Sequence, residues 1–343
     1  MRRVMIAGTG SGCGKTTVTC ALLAGLKHAG KKAAAFKCGP DYIDPMFHQE
    51  VLGTPAYNLD SFFCDRDTLC ALLAQNGASA EISVMEGAMG FYDGGSGSAY
   101  SLSQLTETPV ILVIDCKGMQ DSIGAVMQGF LQYKTPNRIA GFIFNRLPER
   151  LIPFAEQLCR DLHTRYFGCL PQQKQTIGSR HLGLVTAAEI TDLQAQLDAI
   201  GQAAAASLDL AGIASLLDLP LPDFTPPVIP KLKKRAVIAA ARDRAFCFQY
   251  TENLNLLSEI GCELRFFSPL HDAHLPAADG LLLCGGYPEL YAEQLSGNQA
   301  MRAEIREAVR GGMPVIAECG GFLYLHTKLR TEDGTAYPMA DVI

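Results

Sequence analysis

Short apolar runs alternate with segments of helical periodicity along the first part of the chain. Five of the runs have the length and composition of buried strands, at residues 4–7, 33–36, 82–85, 110–114 and 139–144. Between the first two runs, a helix is predicted over residues 18–29, with Leu22, Leu23, Leu26 and Ala29 on one face. This alternation predicts a parallel sheet covered by helices, which is an α/β fold.

The same alternation restarts beyond residue 235. Predicted strands lie at residues 236–240, 263–267, 281–284 and 315–317, and a predicted helix covers residues 301–309. The segment between the two alternating regions is rich in proline, which favours an extended tether. We therefore predict two α/β domains, at residues 1–218 and 235–343, joined by a linker at residues 219–234.

Composition narrows the classes of function. With 343 residues, of which 48% are hydrophobic, the chain can bury two cores. Its net charge of -6 argues against a general nucleic-acid or membrane binder. The 12 cysteines form no C-x-x-C pair, and the sequence shows neither a secretory leader nor an apolar run of membrane length. We expect reduced thiols and a cytoplasmic location, with no nucleic-acid partner and no membrane association.

A glycine-rich loop links the first predicted strand to the first predicted helix. In this setting backbone N–H groups and the helix N-terminus bind phosphates. The loop departs from the strict P-loop pattern because Thr9 stands where the first glycine is expected, one position after Gly8. We predict that Lys15 meets the β- and γ-phosphates of ATP and that Thr16 ligates Mg²⁺. The predicted ATP-binding residues of the loop are Gly8, Gly10, Gly12, Gly14, Lys15, Thr16 and Thr17.

Carboxylates follow two of the predicted strands. Asp41 and Asp44 come after residues 33–36, and Glu86 and Asp93 come after residues 82–85. The carboxyl ends of parallel strands share one edge of a sheet, where such folds bind ligands, and Mg²⁺ takes one or two carboxylates there. We predict Asp41 and Glu86 as Mg²⁺ ligands, with Asp44 and Asp93 beside the carboxylate to be activated. Turn capping by the two aspartates after the first of these strands stays open.

A second candidate site lies in the later domain. Residues 314–325 predict a strand, a sharp turn at Cys319 and a helix. Such an elbow exposes a nucleophile and directs backbone N–H groups at a developing oxyanion, as attack on a glutamine amide requires. We predict Cys319 as the nucleophile and Gly286 and Gly320 as the oxyanion donors.

Five strings of residues together resemble the cobyrinate a,c-diamide synthase family. They lie at residues 39–48, 57–60, 86–94, 145–146 and 180–184, and the elbow at Cys319 is similar to that of class I glutaminases. The resemblance implies a P-loop domain of the dethiobiotin-synthetase type followed by a class I glutaminase-like domain. It implies that ATP phosphorylates the a and c carboxylates of cobyrinic acid, a corrinoid, and that glutamine or ammonia supplies the nitrogen, in cobalamin biosynthesis.

The resemblance also implies roles for residues that the motifs alone do not assign. It implies an adenine contact for Asn145, with a role in turning the strand as the alternative. Substrate contact and surface packing stay open for Tyr42 and Tyr92. His48 and His181 are further candidates for contact with an anionic macrocycle.

The glutaminase resemblance sets an expectation for the end of the chain. In class I glutaminases a later histidine activates the cysteine, but the 24 residues after Cys319 contain only His326, about two helical turns beyond the elbow. We therefore expect a C-terminally incomplete second domain, and amide formation from ammonia rather than from glutamine.

Two other functions stay open at this point. A nickel-sirohydrochlorin a,c-diamide synthase would use the same chemistry on another tetrapyrrole. A P-loop nucleotide switch would perform no ligation, although Gly10 stands where some partition ATPases carry an additional lysine, which counts against that class. The oligomeric state is not fixed by these motifs, and a homodimer stays open.

Overall fold

The computed structural model describes residues 1–50, 52–171, 193–216 and 219–343. The chain forms two compact units, Met1–Pro227 and Val228–Ile343. The division falls inside the predicted linker at residues 219–234. The domain limits 1–218 and 235–343 stay a prediction. The string at residues 180–184, with His181, lies outside the described residues.

The described part of the first unit alternates strands and helices. Its strands are β1 (Arg3–Gly8), β2 (Ala33–Cys38), β3 (Ala56–Leu59), β4 (Ile82–Glu86), β5 (Val110–Asp115), β6 (Ile139–Asn145) and β7 (Arg165–Leu170). Its helices are α1 (Lys15–His28), α2 (Ile43–Glu50), α3 (Arg66–Gly77), α4 (Ala99–Leu105), α5 (Ser122–Gln132), α6 (Ile152–Asp161), α7 (Leu193–Ser207) and α8 (Leu210–Ala214). The five predicted strands are β1, β2, β4, β5 and β6.

These strands form one parallel sheet in the order β3-β2-β4-β1-β5-β6-β7. Successive residues of β1 are buried on opposite faces, Val4 and Ile6 in one hydrophobic cluster and Met5 and Ala7 in the other. A central strand that is covered on both faces needs this continuous apolar composition. The arrangement confirms the predicted α/β class and brings the carboxyl ends of β1, β2, β4 and β6 to one edge.

The second unit contains a smaller parallel sheet. Its strands are β8 (Ala236–Ala241), β9 (Cys262–Phe267), β10 (Gly280–Leu283) and β11 (Val315–Ala317), in the order β11-β10-β8-β9, and an antiparallel pair, β12 (Lys328–Arg330) and β13 (Ala336–Pro338). Its helices are α9 (Thr251–Ile260), α10 (Ala292–Gly297), α11 (Gln299–Arg310) and α12 (Gly320–Leu325). In both units, none of the helices described here has the length and apolar character needed to cross a membrane.

Candidate active site

The loop between β1 and α1 has the backbone conformation of a phosphate cradle. Gly12 and Gly14 have φ values of 75° and 94°, which residues with a side chain rarely adopt. A Cβ added at Gly8 would lie only 2.3 Å from the Cys13 sulfur. The buried Lys15 crosses the loop, and its Nζ donates to the carbonyl oxygen of Gly10 at 3.0 Å. These glycines fit a loop that closes around phosphates, and Lys15 already points its charge into that loop.

Asn145 connects the end of β6 to this loop. Its Nδ2 donates to the carbonyl oxygen of Cys13 at 3.0 Å, and the side chain is buried. A Cβ added at Gly14 would lie 2.1 Å from the same Nδ2. The amide therefore braces the loop from the far strand, and its contact with adenine stays a prediction.

A buried lysine joins the predicted carboxylates on the neighbouring strands. Lys37 Nζ on β2 lies 2.5 Å from Asp44 Oδ2, 3.0 Å from Glu86 Oε1 and 3.5 Å from Asp41 Oδ2. Thr16 Oγ1 donates to the same Glu86 oxygen at 2.7 Å. The structure thus brings together four residues that the sequence assigned to the metal and acceptor sites. We name Lys37, Asp41, Asp44 and Glu86 the lysine–carboxylate cluster.

The charges of this cluster are strongly coupled. Burial lowers the pKa of Lys37, but the attraction of Glu86, Asp44 and Asp41 outweighs it, so the net direction is upward. Burial raises the pKa of Asp44, and Glu86 adds to that increase while Lys37 opposes it. Asp41 shifts in the same direction, chiefly through burial and then through Asp44. Lys37 therefore stays protonated and holds carboxylates that would otherwise repel one another.

Glu86 and His48 face each other behind the cluster. Glu86 Oε2 and His48 Nε2 are 3.8 Å apart, and both atoms are buried without a hydrogen-bond partner within the part of the chain that the structure describes. Burial lowers the pKa of His48 to about 4, so its ring is neutral at pH 7. The Oε2 atom is the Glu86 oxygen left for a further ligand, because Oε1 accepts from Thr16 and Lys37.

The protein groups at this site fit Mg²⁺ only when ligands from another molecule complete its coordination. Across the described ranges, no group of three or more His, Cys, Asp or Glu side chains is arranged to hold a metal ion. A hydroxyl from Thr16, one oxygen of Glu86 and phosphate oxygens are the kind of ligands that Mg²⁺ uses in P-loop enzymes. The metal roles of Thr16, Asp41 and Glu86 accordingly stay predictions.

Asp41 and Asp93 also accept hydrogen bonds from the backbone of their own loops. Asp41 Oδ1 accepts from the N–H groups of Ile43 at 2.9 Å and Asp44 at 3.2 Å, so Asp41 caps the start of α2 as well as facing Lys37. Asp93 Oδ2 accepts from the N–H of Gly90 at 3.2 Å. Each aspartate thus fixes its own loop, and their roles toward metal or substrate stay untested.

The two candidate tyrosines differ in their surroundings. Tyr92 Oη donates to the carbonyl oxygen of Phe130 at 2.6 Å, and its ring stacks on the Phe130 ring at 5.5 Å. Its hydroxyl is therefore engaged in packing against α5. Tyr42 is half-buried immediately before α2 and next to Asp41. Substrate contact stays a prediction for both.

The elbow in the second unit has the strained geometry of a nucleophile turn. Cys319 lies between β11 and α12 with φ 48° and ψ −111°, and its side chain is exposed. A Cβ added at Gly320 would lie 3.2 Å from the N atom of Gly286, and one added at Gly285 would lie 3.3 Å from Cys319 Cβ. The nucleophile and both predicted oxyanion donors are thus adjacent. The His326 ring, at the end of α12, packs edge-on against Phe322.

Comparison with known proteins agrees with both sites. Residues 4–184 match a family model described as the CobQ/CobB/MinD/ParA nucleotide binding domain, and residues 237–343 match the CobB/CobQ-like glutamine amidotransferase domain. Together with the phosphate cradle and the cysteine elbow, these matches define the class as carbon–nitrogen ligases with a glutamine amidotransferase domain.

Relatives of known name narrow the class to one family. Cobyrinate a,c-diamide synthase of Priestia megaterium is 40% identical over 359 residues, covering 100% of this chain and 76% of that protein. The enzyme of the same name from Synechocystis is 36% identical, covering 99% and 73%. Hydrogenobyrinate a,c-diamide synthase of Pseudomonas aeruginosa is 40% identical, covering 96% and 75%. The chain belongs to the cobyrinate a,c-diamide synthase family.

Membership of this family confirms the resemblance that the five strings indicated, and it excludes the P-loop switch as the class of protein. The sequence reasoning missed Lys37, which lies one residue beyond the strand predicted at residues 33–36 and was given no role. Lysine at the next-to-last position of β2, a strand buried along most of its length, was the available signal. A buried lysine needs partners of opposite charge, and the strand ends on either side supply them.

Proposed function

We propose that the chain is an ATP- and Mg²⁺-dependent ligase that amidates the a and c carboxylates of cobyrinate through acyl phosphates. Glutamine or ammonia supplies the nitrogen. The observation that carries this proposal is the meeting of the phosphate loop and the lysine–carboxylate cluster, because Thr16 and Lys37 donate to the same oxygen of Glu86. The names of the relatives support cobyrinate as the acceptor.

The first step is phosphoryl transfer to the acceptor. Lys15 and the loop N–H groups would bind the β- and γ-phosphates, while Thr16 and Glu86, with Asp41 near them, would hold Mg²⁺. When bound, Mg²⁺ neutralises charge on the transferring phosphoryl group. An oxygen of the acceptor carboxylate forms a bond to the γ-phosphorus, the bond to ADP breaks, and an acyl phosphate results.

Lys37 serves this step as the cation for the acceptor. A carboxylate approaching Asp44 and Glu86 meets like charges, and a protonated lysine among them offsets that repulsion. The raised pKa of Lys37 keeps the ammonium charged throughout the neutral range. Its buried position also removes the competing interaction with bulk water, so its charge acts at short range.

The second step forms the amide. Ammonia nitrogen bonds to the acyl carbon, phosphate leaves, and one proton must be taken from the nitrogen. Asp44 is suited to receive it, because burial raises the pKa of its carboxyl group. With glutamine as donor, the Cys319 sulfur would bond to the amide carbon once a base has taken the thiol proton, and the N–H groups of Gly286 and Gly320 would stabilise the oxyanion. The carbon–nitrogen bond would then break to release ammonia, and water would hydrolyse the remaining thioester.

The test measures ADP and amide product with cobyrinate, hydrogenobyrinate and nickel-sirohydrochlorin as separate acceptors and ammonium as donor. We expect ADP release to depend on cobyrinate and to match amide formation, and we expect Lys15→Ala to remove both. Hydrogenobyrinate is the second acceptor of interest, because the Pseudomonas relative named for it is as similar, at 40% identity, as the Priestia enzyme. Acceptor-independent ADP release that persists in Lys15→Ala would contradict the proposal.

A further inference from the structure

Two adjacent phenylalanines stand in solvent at the edge of the first unit. Phe62 is 85% exposed and Phe63 is 72% exposed, and their rings meet edge-to-face with centroids 5.0 Å apart. Among the described residues, neither ring belongs to a hydrophobic core cluster. Exposed aromatic surface that is contiguous in this way marks a contact site more often than an isolated apolar residue does.

The turn that carries the two rings holds them outward. The buried Asp60 accepts from the N–H of Phe62 through Oδ1 at 2.9 Å, and its carbonyl oxygen accepts from the N–H of Cys64 at 3.0 Å. Asp65 then caps α3 by accepting from the N–H of Thr68 at 2.9 Å. These bonds hold the backbone of the turn at both ends, and both rings lie in solvent.

This turn lies next to the lysine–carboxylate cluster. In the parallel register Asn58 of β3 is the partner of Lys37, and neighbouring strands are about 4.8 Å apart. The Asn58 amide donates to the carbonyl oxygen of Asp41 at 2.7 Å. Phe62 follows three residues after Leu59, the last residue of β3, so the aromatic pair begins within roughly 10 Å of chain from the carboxyl end of β3, at the edge of the sheet where the cluster lies.

A third apolar side chain continues the surface toward the phosphate loop. Met89 follows β4, has φ 49° and is half-exposed. The next residue, Gly90, packs so closely on the phosphate loop that a Cβ there would lie 3.3 Å from the Gly10 Cα. Ser61 Oγ donates to the carbonyl oxygen of Ser96 at 3.4 Å, which links the two loops. We name Phe62, Phe63 and Met89 the apolar rim.

We propose that the apolar rim receives one face of the tetrapyrrole macrocycle while its peripheral carboxylate enters the lysine–carboxylate cluster. This inference rests on the proposed function. The acceptor is a macrocycle with an apolar ring framework and several peripheral carboxylates. A chain of net charge -6, with three carboxylates around one lysine at the acceptor site, offers a polyanion little electrostatic attraction. Burial of the apolar ring faces supplies the missing affinity.

The competing occupant of such a surface is a second copy of the chain. Continuity with the acceptor site favours the macrocycle, because the rim extends from β3 toward the phosphate loop at the edge where the predicted site residues meet. Asn58 of β3 bonds to Asp41, and Gly90 packs against Gly10, so the two segments that lead into the rim contact the loops of the predicted site. A surface through which two copies of the chain associate would need neither continuity with the acceptor site nor a fixed position relative to the activating groups.

The experiment compares the wild type with the double variant Phe62→Ala/Phe63→Ala. Cobyrinate binding is measured by equilibrium dialysis, and the KM values for cobyrinate and ATP are measured with ammonium as donor. We expect the cobyrinate Kd and KM to rise at least about tenfold, which corresponds to ~1.4 kcal/mol, with the ATP KM changed less than about twofold. Phe62→Tyr/Phe63→Tyr keeps the ring faces and restores binding. Leu256→Ala, an exposed apolar residue of the second unit, serves as the control and leaves both constants unchanged.

Three outcomes overturn the inference. The first is an unchanged cobyrinate Kd in the double alanine variant. The second is a parallel rise in the ATP KM, which would assign the rim to the nucleotide. The third is conversion of a dimer to a monomer in sedimentation with unchanged cobyrinate binding, which would assign it to a second copy. A wild type that binds cobyrinate through the rim without forming amide refutes the proposed function alone. Equal urea unfolding midpoints exclude misfolding as the cause.

Discussion

Replacing Lys37 by methionine tests the lysine–carboxylate cluster most directly. The ammonium lies within 3.5 Å of three carboxylates, and its side chain is only 6% exposed. At an effective dielectric constant of about 20, unit charges about 3 Å apart interact by roughly 5 kcal/mol, against which the desolvation of both groups must be set. Removal of one partner from a buried ion pair typically costs ~3–5 kcal/mol. We expect Lys37→Met to lower the free energy of unfolding by that amount near neutral pH.

The loss should depend on pH in a known direction. Burial already raises the pKa values of Asp41 and Asp44, and loss of the lysine raises them further. A carboxyl group with a raised pKa in the folded state binds protons more tightly there than in the unfolded chain. The deficit of Lys37→Met relative to the wild type should therefore shrink as the pH falls from about 7.5 to about 5, because the unpaired carboxylates become neutral.

The assay is urea denaturation of the full chain at both pH values, with hydrogen exchange of β2 peptides to assign the transition to the first unit. Lys31→Met is the matched control, since its pair with Glu81 is solvent-exposed and should contribute little to stability. Lys37→Met/Asp44→Asn should regain at least ~1 kcal/mol by removing one repelling charge. A Lys37→Met protein within ~1 kcal/mol of the wild type at neutral pH, or one whose deficit relative to the wild type grows on acidification, would refute the reasoning.

Three further predictions address other parts of the molecule. Gly14→Ala places a Cβ against Asn145 at a φ of 94°, so the ATP affinity measured by calorimetry and the unfolding midpoint should both fall, whereas Gly10→Ala, with open space at its Cβ, should keep the wild-type midpoint. Cys319→Ala should remove any glutamine-dependent amide formation and leave ammonium-dependent formation intact; equal loss with both donors would place Cys319 in the ligase step. Because burial lowers the pKa of His48 to about 4, the wild type should lose roughly 3 kcal/mol of stability between about pH 6.5 and pH 4 from this residue, and His48→Gln should lack that component in urea titrations.

Much of the fold was predictable because its central strands are apolar without interruption. β1 and β5 need apolar side chains on both faces, and such runs are visible in a sequence. The edge strands β3 and β7 were not predicted, since Ala56–Leu59 is short and Arg165–Leu170 begins with polar and half-exposed residues. An edge strand has one neighbour and less burial, so its sequence carries a weaker signal.

The candidate site was predictable as a set of strand ends but not as a set of contacts. Parallel topology requires Asp44 and Glu86 to reach the same edge, and the structure brings them there. Sequence could not reveal that Lys37 would be the group that both contact, because its position on a strand says nothing about which neighbouring strand pairs with it. That pairing, of β2 with β4, depends on the order of strands in the sheet.

A resident ammonium in the carboxylate cluster makes folding and metal loading separate events. Lys37 already compensates the buried negative charge, so the newly folded chain does not depend on a divalent ion to keep Asp44 and Glu86 side by side. A chelator should leave the unfolding transition of the nucleotide-free protein where it is. On the proposed function, the acceptor site then stays assembled in the absence of magnesium and nucleotide, and ligation resumes when both are supplied.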